Sequence, residues 1–138
     1  MKKFIALSCL SLSISLSAYA NDCEKYEVYI ANNTQSTWSL SNVTANKGSL
    51  IFTSETIPPG SVGVIKSEQY FVGPDITATL SDGSHTEVIN AHQNYCFMEA
   101  GDITTSVSPG VYVHTGSNTP GSYWFGHAGV SHFSISNP

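Results

Sequence analysis

The sequence predicts an all-β fold: a single antiparallel β-sandwich of short strands with turn-rich connections. Three observations carry the prediction. Apolar residues recur with a period of two in one segment after another, and turn signals separate those segments at near-regular intervals. No stretch of ten or more residues keeps a 3.6-residue apolar period without a breaker. Such a pattern belongs to packed antiparallel sheets, with a closed barrel as the nearest rival architecture.

The first twenty residues are expected to lie outside the fold. Lys2 and Lys3 precede an apolar run from Phe4 to Leu16, and Ala18-Tyr19-Ala20 supplies small residues around a cleavage point. That is the layout of a secretory signal peptide, with an apolar run too short for a bilayer span. Residues 21–138 then form one domain, secreted or periplasmic, with Cys23 and Cys96 as its two cysteines. In an exported chain an even pair reads as one disulfide, expected to stabilise by roughly 4 kcal/mol in the chain-entropy model.

Each element follows in turn. Tyr26, Val28 and Ile30 alternate with Glu27, Tyr29 and Ala31 as a first strand, and "NNTQS" (32–36) is turn chemistry. Trp38 and Leu40 share one side of a second strand, "ANKG" (45–48) turns, and "SLIFT" (49–53) is extended again. "IPPGSVG" (57–63) excludes helix interior, and Val62 and Val64 open a further alternating stretch. Ile76, Ala78 and Leu80 run into Asp82-Gly83, the turn a hairpin prefers, and His85, Glu87 and Ile89 return from it. "NYCFM" (94–98) and "DITTSV" (102–107) continue the pattern until "SPG" (108–110) breaks it.

Charge narrows the partners. The chain contains no arginine, and beyond residue 20 only Lys25, Lys47 and Lys66 face ten carboxylates, a net −7 with neutral histidines. Phosphate neutralisation requires clustered cations, so nucleic acid is excluded, and a strongly anionic membrane is disfavoured by the same sign. Neutral or zwitterionic ligands remain: lipid headgroups, glycans, or a basic protein.

The last 28 residues hold the candidate site. If Thr115 pairs with Ser122 and His127 with Val130, the segment 111–136 forms a meander with two faces. One face collects Val111, Val113, Trp124, Phe133 and Ile135 and is expected to be core. The other collects Tyr112, His114, Tyr123, Phe125, His127 and His132, aromatic rings and imidazoles without charged neighbours, which is the composition of a recognition surface. These six are the expected ligand-binding residues. Their spacing offers no zinc site, no catalytic motif occurs, and no cofactor is implied, so the chain is read as a non-enzymatic protein.

Residues 28–68 are similar to the opening of aegerolysins and related bacterial proteins. The matching pieces are Asn33-Thr34, Leu40 with Asn42, Lys47-Gly48, and Ile57, Pro59, Gly60 and Gly63, with "SDG" (81–83) at a later turn. The chain departs from that pattern at "INAHQNYC" (89–96), where an aromatic–acidic step is expected. The resemblance implies a small acidic actinoporin-like β-sandwich that recognises membrane lipid headgroups, in some members together with a separate pore-forming partner. The expected function is therefore lipid-headgroup binding as a cytolysin component. A lectin-like glycan binder and a secreted protein-binding inhibitor are the alternatives.

Overall fold

Alternation sorts the side chains of the predicted strands as the period of two requires. In β1 (Lys25–Asn32) Tyr26, Val28 and Ile30 are fully buried, while Glu27, Tyr29 and Ala31 face outward. β2 (Trp38–Asn46) buries Trp38 and Leu40; β6 (Asp75–Ser81) buries Ile76, Ala78 and Leu80; β7 (Thr86–Gln93) buries Glu87, Ile89, Ala91 and Gln93. The remaining strands are β3 (Ser49–Thr53), β4 (Thr56–Ile57), β5 (Val62–Glu68), β8 (Ile103–Ser108), β9 (Val113–Thr119) and β10 (Gly129–Ile135). The computed structural model describes residues 25–46, 48–68, 75–94, 101–122 and 126–138. Cys23 and Cys96, and with them the expected disulfide, lie outside the described residues, as do Tyr123, Trp124 and Phe125.

The strands form two five-stranded sheets packed face to face. One has the order β3-β5-β1-β10-β9 and is called sheet A; the other, sheet B, has the order β4-β2-β6-β7-β8. Up to β6 the chain changes sheet at every connection, and β6-β7-β8 then runs as an antiparallel meander. All pairings are antiparallel except β1 with β10, where the first and last strands run parallel at the centre of sheet A. Both sheets contribute to one core, with Val28, Ile30, Ile65, Phe133 and Ile135 from sheet A against Trp38, Leu40, Ile76, Leu80 and Ile89 from sheet B. The apolar surface buried between them is the dominant favourable term for a sandwich of this size.

Two turns have specific chemistry. Asn32 ends β1 and is 1 % exposed. Its Oδ1 accepts hydrogen bonds from the Thr34 N–H and hydroxyl, while its Nδ2 donates to the Ser36 and Ile57 carbonyls, each at 2.8 Å. The Asn32 carbonyl also accepts from Gly60 N–H at 2.8 Å, so the "NNTQS" and "IPPGSVG" turns are one hydrogen-bonded unit. Thr34 in turn accepts the Trp38 indole N–H at 3.2 Å, which fixes the largest core side chain. At the β6–β7 hairpin Gly83 has φ 93°, a left-handed value that side chains disfavour, and Asp82 Oδ1 accepts the Ser84 and His85 N–H groups.

The expected meander at 111–136 is corrected. β9 pairs directly with β10, Val113 opposite Ile135, His114 opposite Ser134 and Thr115 opposite Phe133, so Thr115 does not pair with Ser122 as expected. Residues 116–119 belong to β9, and Ser122 forms an isolated bridge with His127. Val113, Phe133 and Ile135 are core as expected, but Val111 is 49 % exposed because the chain is still crossing from sheet B to sheet A there. β5 is inverted relative to its apolarity. Gly63, Ile65 and Ser67 face the core, and Val62 and Val64 face outward.

Candidate functional site

The outward phase of sheet A carries a groove of about 510 Å³, lined by Tyr29, Ala31, Val62, Gly116, Ser117, His132, Phe133 and Ser134. Register explains the assembly. Tyr29 lies beside His132 and Ala31 beside Ser134 across the parallel β1–β10 pair, and Ala31 faces Val62 across β1–β5. The Tyr29 and His132 rings stack with centroids 5.6 Å apart and planes 20° from parallel. A bulge between Ser131 and Phe133 in the β10–β9 pairing brings Gly116 and Ser117 over His132. A Cβ at Gly116 would meet the His132 carbonyl oxygen at 3.0 Å, so glycine lets β9 approach the β10 backbone at His132 that closely.

Polar groups at the groove are held by hydrogen bonds. His132 Nδ1 lies 3.2 Å from the Ser117 carbonyl oxygen and 3.3 Å from the Ser117 hydroxyl, so the ring is tied to β9 at that nitrogen whichever tautomer it adopts. Tyr29 donates its phenol proton to Glu27, whose other carboxylate oxygen is 3.0 Å from Lys66 Nζ. The Tyr29 hydrogen bond is the main cause holding Glu27 below the ordinary carboxylate value, and Lys66 adds to it. The same bond raises the Tyr29 phenol above its ordinary value. With Glu27 and Lys66 paired in this way, the groove presents an aromatic-walled surface with hydroxyl and imidazole groups. Its lining suits an amphiphilic or zwitterionic group.

A second, smaller hollow of about 310 Å³ lies at one end of the sandwich, lined by His85, Thr86, Glu87, Pro109, Val111 and Tyr112. The buried Glu87 carboxylate accepts three backbone N–H groups at 2.7–2.9 Å, those of Val111, Tyr112 and Val113. Burial works to raise its pKa, and these backbone hydrogen bonds outweigh burial and leave the group below its ordinary value. Asp82, His85 and Tyr112 form a chain above it, with Asp82 Oδ2 at 3.1 Å from His85 Nδ1 and Tyr112 Oη at 3.0 Å from His85 Nε2. These contacts hold the crossover between sheets in place.

The six expected site residues therefore separate. His132 is in the groove, and His114 is exposed on the neighbouring strand beside Ser134. Tyr112 lies at the other hollow, tilted against Trp38 with ring centroids 5.9 Å apart. His127 is exposed in the connection before β10, and Tyr123 and Phe125 are outside the described residues. Among the described residues no cluster of three or more metal-ligating side chains occurs. The residue that sequence reasoning missed is Tyr29. An aromatic ring on the outward phase of the first strand, flanked by Glu27 and Ala31, was the available signal, and only the parallel pairing with β10 brings it to His132.

No protein-family model matches the chain, and no curated protein matches it. Among solved structures, the fold is similar to that of RahU protein, determined in complex with a TRIS molecule. That likeness has a TM-score of 0.60 at 12% identity and covers 84% of this chain and 98% of that one. It is also similar to the lipid binding protein Nakanori, with a TM-score of 0.57 at 9% identity, covering 82% of this chain and 71% of that one. At these identities the likeness shows the fold alone, a β-sandwich as the sequence predicts.

Proposed function

We propose that the protein is a non-enzymatic recognition module that binds membrane lipid headgroups in the groove on the outer face of sheet A. The observation that carries this reading is the stacked Tyr29–His132 pair set in a cleft with apolar walls from Ala31 and Val62. Such a cleft suits a group that is polar at one end and apolar at the other. The fold shared with a lipid binding protein supports it. His132 and His114, expected from sequence, stay in the proposed site, Tyr29 joins them, and Tyr123 and Phe125 are carried as further contacts from the segment preceding β10. Secretion rests on the signal-peptide pattern of residues 1–20. Action beside a separate pore-forming protein rests on the aegerolysin resemblance.

Co-sedimentation with liposomes across a panel of zwitterionic and sphingolipid-containing vesicles tests the reading. The wild-type protein is expected to sediment with at least one composition. Tyr29→Ala and His132→Ala should weaken that binding about tenfold while leaving the melting transition near its original temperature, since both side chains lie on the outer face. Absence of binding to every vesicle in the panel removes the proposal.

A further inference from the structure

Of the strands that end the two sheets, β3 is the one with a run of exposed large apolar side chains. Leu50, Ile51 and Phe52 are 39 %, 55 % and 52 % exposed, consecutive, and on the outermost strand of sheet A. The opposite edge of that sheet, β9, reads "VHTGSNT", and β8 at the edge of sheet B reads "ITTSVS". Edge strands are ordinarily guarded by charge, proline or brevity. β3 has neither a charged residue nor a proline, and no charged side chain occurs from Ser49 to Ser54.

The geometry of the three residues selects what can cover them. Successive side chains of a strand point to opposite faces, and a bulge between Leu50 and Phe52 in the pairing with β5 turns Ile51 out of that alternation. A rigid partner lying on one face would cover alternate residues only, and a strand added to the edge would leave the side chains of both faces in water. A medium that surrounds the edge covers all three at once. The charge pattern fits as well. Phe52 lies opposite Lys66, which is paired with Glu27, so the cation across from it is neutralised on an otherwise acidic chain. Phe52 also shares the outer face with Glu27, Lys66 and Tyr29, so the edge is continuous with the groove.

We infer that the β3 edge is a membrane-contact wedge, in which Leu50, Ile51 and Phe52 enter the headgroup–acyl boundary of a zwitterionic bilayer while the groove takes a headgroup. The inference rests on the lipid reading above and adds the surface that seats the protein on the bilayer. In this orientation sheet A faces the membrane along its β3 edge.

The test uses the full protein and vesicles of phosphatidylcholine, with and without sphingomyelin. Ile51→Ser combined with Phe52→Ser should lower vesicle affinity at least about tenfold, because the apolar area lost from the boundary is large, with the melting transition unchanged. In a second measurement, Ile51→Trp should show a blue-shifted emission on vesicle addition and quenching by brominated acyl chains. Wild-type binding that the double variant retains, together with an unquenched Ile51→Trp, overturns the wedge while leaving the groove reading intact if Tyr29→Ala weakens binding. A wild-type protein that binds no vesicle overturns both. If sedimentation velocity shows a lipid-free dimer that the double variant converts to monomer without loss of vesicle binding, the edge joins two copies of the chain and the wedge is overturned.

Discussion

Two buried polar side chains make predictions at the scale of single residues. Asn32 uses both ends of its amide, and no apolar replacement serves the Ser36 and Ile57 carbonyls. Asn32→Ala should cost about 2–3 kcal/mol, since buried partners are left without hydrogen bonds, and urea unfolding would read this as a lower midpoint with an unchanged slope. Glu87 is the acceptor that stations the crossover from sheet B to sheet A. Its folded pKa lies below its ordinary value, so its stabilising contribution is fully present above that ordinary value and is lost as pH falls through the folded one. Wild-type stability should therefore decline across that acid window. Glu87→Gln should lower stability by about 2 kcal/mol at neutral pH and flatten part of the acid decline in urea melts taken across pH. If the variant retains the full acid dependence, the carboxylate is not the titrating clamp.

At the scale of elements, β9 is the weakly anchored strand. Val113 is its single buried residue, and His114–Thr119 are exposed. β10 lies between β1 and β9 and buries Gly129, Ser131, Phe133 and Ile135. Local opening is expected where few apolar contacts oppose it. Hydrogen exchange should find the amides of 116–119 less protected than those of 131–135, and Val113→Ala, costing about 2 kcal/mol, should extend rapid exchange along β9. Equal protection of the two strands would contradict this ranking. Because Gly116 and Ser117 form one wall of the groove, the looseness of β9 also bears on how readily the groove admits a ligand.

At the scale of the whole molecule, the parallel β1–β10 pair closes sheet A by joining the two ends of the described fold. Truncation before Gly129 would remove Phe133 and Ile135 from the core and strip β1 of a neighbour. Two large core side chains account for roughly 5 kcal/mol or more, comparable with the whole stability of a small domain. The truncated chain should give no cooperative thermal transition by circular dichroism, and a cooperative melt would show that β1, β5 and β3 suffice without it.

Local chemistry made much of this protein legible in its sequence. The period of two put Tyr26, Val28 and Ile30, Trp38 and Leu40, and Ile76, Ala78 and Leu80 each on one side of a strand, and that side is the buried one, because alternation across a pleat needs no knowledge of distant partners. Asp82-Gly83 marked its hairpin, because a left-handed φ selects glycine locally. Pairing between remote strands has no such local signature. The segment 111–136 could satisfy its alternation with more than one partner, and the expected meander gave way to β9 directly on β10, with Val111 left exposed. The all-β sandwich was therefore determined by the sequence itself. Tertiary structure alone decided that Tyr29, 103 residues before His132 in the chain, stacks against it, because a parallel pairing of first and last strands is won by the burial of the whole core and not by any residue in either strand.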